Sequence, residues 1–139
     1  MPKKYPKTKT FAAITAICII TATAILVTAG KNARGSLPDD ISGCIVVFYK
    51  DGCPDCKATM EQIRNALEGT KDVFFLDSQS DVGKEVRERY PIREVPSAIY
   101  VHINDGDYTM YVLYERTKDG PVTDFDAIDR IIEIKESLR

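Results

Sequence analysis

The chain has no tryptophan, one histidine and only four cysteines in 139 residues. The cysteines are too few and too scattered for the disulfide framework of a small secreted scaffold. Cys18 falls in an apolar stretch and Cys44 in a strand-like run, so only Cys53 and Cys56 are close neighbours. There is no second C-x-x-C, no internal repeat and no low-complexity tract. A basic run is also missing from residues 30–139. Of nineteen Lys and Arg, four are Lys3, Lys4, Lys7 and Lys9, which leaves fifteen against twenty-one acids, a formal charge of −6. Phosphate contacts need clustered Lys and Arg, so nucleic acid is excluded as a partner.

Charge is absent from 11–29, "FAAITAICIITATAILVTA". As a helix this segment would span roughly 28 Å, near the ~30 Å of a bilayer's hydrocarbon core. Residues 1–10 hold the four lysines and no acid. They form a basic N-terminus that the positive-inside rule keeps in the cytoplasm, with the rest of the chain outside. A single-pass membrane anchor is the reading that the length favours. Secretion after cleavage is the rival, since Val27-Thr28-Ala29 resembles a signal-peptidase site, although the apolar run exceeds the ~7–15 residues of a signal-peptide core. Residues 30–43, "GKNARGSLPDDISG", have the composition of a linker.

Residues 44–139 read as one α/β domain. "CIVVFY" (44–49) and "VFFL" (73–76) are continuous apolar runs of strand length, suited to strands covered on both faces. Between them Cys56, Met60, Ile63 and Leu67 share a helical stripe, and Glu61, Arg64 and Glu68 face out. This is a βαβ unit with parallel strands. Val82, Val86 and Tyr90 predict a second helix after Ser80, ended by Pro91. "SAIYVHI" (97–103) and "YTMYVLYE" (108–115) flank a turn at 104–107 and predict an antiparallel hairpin. A last helix spans 123–138, with Thr123 and Asp126 as an approximate capping box and Phe125, Ile128, Ile131 and Ile132 as its buried stripe. The order β-α-β-α-β-β-α implies a mixed sheet flanked by helices.

The βαβ unit puts Cys53 where the first strand's loop meets its helix. Pro54 suits the first helical turn, where a missing N–H costs nothing. Unpaired N–H groups and the positive end of the helix dipole favour a thiolate on Cys53, the species that attacks disulfides. Cys56 lies on the inward stripe, so its sulfur is shielded. One exposed and one protected thiol is the asymmetry of thiol–disulfide exchange, with Cys53 attacking and Cys56 resolving the mixed disulfide. Asp55 and Lys57 stand beside the sulfurs as candidate modulators, though a solvated lysine at a helix start is the simpler reading of Lys57.

Strand, C-x-x-C and helix, followed by "YPIREVPSAIYV" (90–101), resemble the thioredoxin-like superfamily over about residues 44–138. "LDSQSDVGKEVRERY" (76–90) is similar to the second-helix segment of those proteins. The resemblance implies a cis proline at Pro96 beside the cysteines, with Val95 and Pro96 shaping the substrate site and the backbone before them free to pair with a bound peptide. It implies a minimal fold, because 30–43 leaves little room for the first strand and helix of a full thioredoxin. The buried acid of thioredoxins falls, by position, at Val47, and Glu61 takes the place of a kinking proline. Strong oxidants of this fold tend to carry His between the cysteines. Asp55 there favours a reductase or isomerase over an oxidase.

The implied partners are protein or small-molecule disulfides and a donor or acceptor of electrons that the sequence does not name. The cysteines carry the electrons, so no cofactor is called for. Two other readings remain open. Cys53 and Cys56 could join Cys44 and His102 as a zinc set, or the domain could hold a partner with its cysteines idle. Cys44 reads more simply as a small buried residue, and the tyrosines at 108, 111 and 114 as sheet packing.

Overall fold

The computed structural model describes residues 37–138. The basic N-terminus, the apolar run 11–29 with Cys18, and the linker as far as residue 36 lie outside the described residues. Among the described residues no helix is long and apolar enough to cross a membrane.

A four-stranded mixed sheet runs in the order β2-β1-β3-β4. Strands β1 (Ile45–Tyr49) and β2 (Val73–Asp77) are parallel, with Ile45 opposite Val73. Strand β3 (Ser97–Val101) is antiparallel to β1 and to β4 (Tyr108–Val112). Helix α1 (Pro54–Ala66) joins β1 to β2, and α2 (Asp81–Arg89) leads from β2 towards β3. Helix α3 (Phe125–Ser137) ends the domain.

The period-2 alternation of strands explains the uninterrupted apolar run of β1. Ile45 and Val47 point into a core shared with Ile63 of α1 and Ile128 and Ile131 of α3. Val46 and Phe48 point into a second core with Tyr90, Ile92 and Ile99. All four are fully buried, each contributing about 1.5–3 kcal/mol of burial. Ile41 closes the second core, and Ser42 makes one bridge to Val101.

The three helices expected within 44–139 are present, but their faces are corrected in detail. In α1 the buried face is Cys56, Thr59 and Ile63, with Met60 only partly buried. In α2 the Ser80 hydroxyl accepts from the Gly83 N–H at 3.0 Å, and Gly83 packs against the Asp77 carbonyl. That backbone-close approach turns Gly83 inward and leaves Val82 47% exposed rather than on the buried stripe. In α3 the cap is Asp124, not Thr123. Its carboxylate accepts from the Ala127 N–H at 2.8 Å, while Thr123 is the last residue of a strand. Phe125 consequently falls in the first turn, 52% exposed, and the buried face is Ala127, Ile128, Ile131 and Lys135. The Lys135 ammonium is satisfied by the Gly43 carbonyl at 2.8 Å and Asp72 at 3.4 Å.

One element escapes the sequence reading. "YTMYVLYE" is not one strand. It breaks at Leu113, a fully buried residue whose N–H donates to the Pro96 carbonyl and whose carbonyl accepts from the Asp124 N–H. Beyond it, β5 (Tyr114–Thr117) and β6 (Gly120–Thr123) form a separate two-stranded hairpin. The observed order is therefore β-α-β-α-β-β-β-β-α. These strands are four residues each, mostly polar and interrupted by Pro121, so no apolar alternation announces them. The hairpin lies along α1, where the Thr123 hydroxyl donates to the Thr59 carbonyl at 3.5 Å.

Candidate active site

Strand β1 ends at Tyr49, and the chain turns through Gly52, whose φ of +76° is one that side-chain-bearing residues rarely adopt. That turn delivers Cys53 as the N-cap of α1, with Pro54 at the first helical position. N-caps are ordinarily Ser, Thr, Asp or Asn. Here sulfur takes the oxygen's part, since Cys53 Sγ accepts from the Cys56 N–H at 3.5 Å.

Cys53 is half-buried and Cys56 is only 4% exposed, and both are free thiols. Burial pushes the Cys56 thiol up to about 12, against a backbone contact from Lys50 that pulls it down. The neighbouring Cys53 and the Asp55 charge add to the rise. Among the described residues no carboxylate is buried, and Val47, the position at which the resemblance puts an acid, lies in the apolar core. The expected asymmetry of one accessible and one shielded sulfur is present.

Across the cleft, the Val95–Pro96 peptide bond is cis. The Cys53 thiol reaches the Val95 carbonyl at 3.8 Å, while the Val95 side chain turns into the second core. The turn is closed by the Ser97 hydroxyl, which donates to the Glu94 carbonyl at 2.6 Å. A C-x-x-C at the head of the helix after the central strand thus faces a cis proline, on a β2-β1-β3-β4 sheet. The fold is thioredoxin-like. No family model matches the chain and no curated protein matches it. Solved structures include a thioredoxin from Thermus thermophilus, with 15% identity and a TM-score of 0.39 over 68% of this chain and 71% of that one. The C-terminal domain of DsbD from Neisseria meningitidis, in the reduced form, is 21% identical with a TM-score of 0.39, over 87% of this chain and 96% of that one.

Onto this thioredoxin-like frame the β5–β6 hairpin adds residues that sequence reasoning missed. Arg116 Nη2 donates to Asp55 Oδ2 at 2.8 Å, so the acid between the cysteines is ion-paired. Tyr114, two residues back and on the same strand face, is buried, and its hydroxyl donates to Glu94 Oε2 at 3.4 Å. Tyr114 is therefore part of the site wall, not of the packing of the main sheet. The signal in the sequence is the alternation Tyr-x-Arg in "LYERT", legible only once 114–117 is known to be a strand. Lys57 is exposed in the first turn of α1, and its backbone N–H bonds the Cys53 carbonyl at 2.9 Å.

The four-ligand zinc set is not assembled. Cys44 precedes β1 and His102 follows β3, at the far end of the sheet from Cys53. His102 Nε2 pairs with the Thr109 hydroxyl at 3.0 Å. Cys44 is buried, and burial pushes its thiol up, partly offset by Lys135. Among the described residues no three His, Cys, Asp or Glu side chains are grouped to hold a metal ion.

Proposed function

We propose that this chain is a thiol–disulfide oxidoreductase in which Cys53 attacks and Cys56 resolves. The observation that carries the reading is the placement of Cys53 Sγ at the head of α1, against the Val95 carbonyl, with Cys56 buried behind it. In the reductive direction the Cys53 thiolate attacks one sulfur of a substrate disulfide. That S–S bond breaks, a mixed disulfide forms, and the departing substrate sulfur takes a proton. Cys56 then gives up its proton and attacks Cys53 Sγ, releasing the second substrate thiol. Two electrons and two protons pass to the substrate, and the Cys53–Cys56 disulfide remains. A second dithiol restores the pair by the reverse exchange.

In this reading the Val95 carbonyl, held by the cis Val95–Pro96 bond, faces the substrate, and Asp55 is a charge felt at the sulfurs. That charge supports a reductase or isomerase direction. The segment 11–29 supports anchoring to the cytoplasmic membrane, with residues 1–10 inside, 30–43 as tether and 44–139 outside. The high thiol of Cys56 suits a resolving group that stays protonated until a mixed disulfide is presented to it.

The test is Cys56→Ser. The variant accumulates covalent adducts with its partners through Cys53, released by reductant, and Cys53→Ser accumulates none. A folded wild-type protein whose two thiols never interconvert with a disulfide across a series of redox buffers overturns the proposal. Failure of Cys56→Ser to trap anything, with such interconversion intact, assigns the domain to holding a partner instead.

A further inference from the structure

A groove of about 560 Å³ runs from Cys53 along the Val95 loop, between the hairpin and α2. Its charge is opposite to that of the domain around it. Lys50, Arg87, Arg93 and Arg116 line it against two carboxylates, Asp55 and Glu94, whereas residues 30–139 as a whole carry −6. Both carboxylates are engaged from within, Asp55 by Arg116 and Glu94 by the Tyr114 hydroxyl. The cations are less satisfied. Lys50 and Arg93 are exposed and form no ion pair among the described residues. Arg87 donates to the Ile92 carbonyl at 3.2 Å, and its Nε is buried with no partner among the described residues. Among the described residues no carboxylate pairs with this guanidinium.

Resting on the function proposed above, we propose that this groove selects polypeptide disulfides whose cystine is flanked by Asp or Glu. Arginine pairs with carboxylates through two parallel N–H bonds, giving orientation as well as attraction. The groove is the size of a small-ligand site and begins at the attacking sulfur, so it meets the residues next to the scissile bond. Over the ~8 Å screening length of physiological salt, a partner docked there feels the local cations more than the distant acids. Opposite charge at the encounter surface raises the association rate and suppresses like-charged competitors.

The experiment uses the reduced full chain in single turnover, so that its own dithiol supplies the two electrons. The probes are three peptide disulfides of one length, with the cystine flanked by Glu, by Gly or by Lys. The acidic peptide is reduced about tenfold faster than the neutral one at low salt, the basic peptide more slowly than either, and the differences shrink as salt is raised. Arg93→Glu and Lys50→Glu together, both at exposed positions, narrow or reverse the order of acidic and basic peptides. The neutral peptide, read alongside, reports on each variant's fold and chemistry. Equal rates for all three peptides, or a faster basic one, overturn the selectivity while leaving the oxidoreductase reading intact. Reduction of none of them counts against the oxidoreductase reading itself.

Discussion

Arg116 holds the carboxylate of Asp55, the residue between the two cysteines, at 2.8 Å. The two lie sixty-one residues apart, and the guanidinium is 73% exposed while the carboxylate is 17% exposed. The pair sits at the mouth of the site, where the arginine cancels part of a negative charge directed at the sulfurs. Wherever a thiolate forms on the reduced pair, an unpaired carboxylate beside it disfavours that ionised reduced form.

The consequence is a shift in redox potential with opposite signs for the two partners. Arg116→Ala lowers the potential and Asp55→Asn raises it, each by roughly 10–30 mV, since ~30 mV corresponds to one pK unit for a two-electron couple. Equilibration against a thiol buffer measures both. In the Asp55→Asn background, Arg116→Ala has little further effect, because there is no carboxylate left to unmask. An unchanged potential in the Arg116→Ala protein would remove the hairpin from the chemistry.

Cys56 makes stability depend on pH in the reduced protein. Its folded thiol ionises near 12 and the unfolded chain's near 9, so between these values the unfolded state has lost a proton that the folded state keeps. The stabilising difference is complete below about 9 and is lost as pH rises from about 9 towards about 12. Denaturant midpoints of the reduced protein fall between pH 8 and pH 10. A Cys56→Ala variant falls less steeply, which isolates the contribution of this thiol. Parallel slopes for the two proteins contradict the assignment.

Gly83 sets how closely α2 approaches the sheet. A Cβ there would run into the Asp77 carbonyl, a backbone atom with no rotamer to escape by. Gly83→Ala therefore destabilises the domain by about 1–3 kcal/mol, the usual cost of overpacking, despite alanine's better helix propensity. Chemical denaturation reads the loss. A variant as stable as the parent would mean that α2 can slide away from β2 without penalty.

The frame, and the place of the cysteine pair within it, were legible in the chain before any contact was known. Continuous apolar runs mark strands covered on both faces, helical spacing marks α1, and two cysteines at a strand-to-helix turn have one outward and one inward sulfur by geometry alone. Those are local consequences of the backbone's two periodicities, so they are legible residue by residue. The faces of α2 and α3 were less legible, because a close backbone approach at Gly83 and a cap shifted to Asp124 rotate the buried stripe by an amount that only packing reveals. What surrounds the sulfurs came from packing between distant segments. The β5–β6 hairpin is short, polar and broken by Pro121, and its place beside α1 follows from contacts across more than sixty residues of chain. Such contacts leave no periodic trace. For that reason the cysteines could be read from the sequence, while Arg116, Tyr114 and the cationic groove could not.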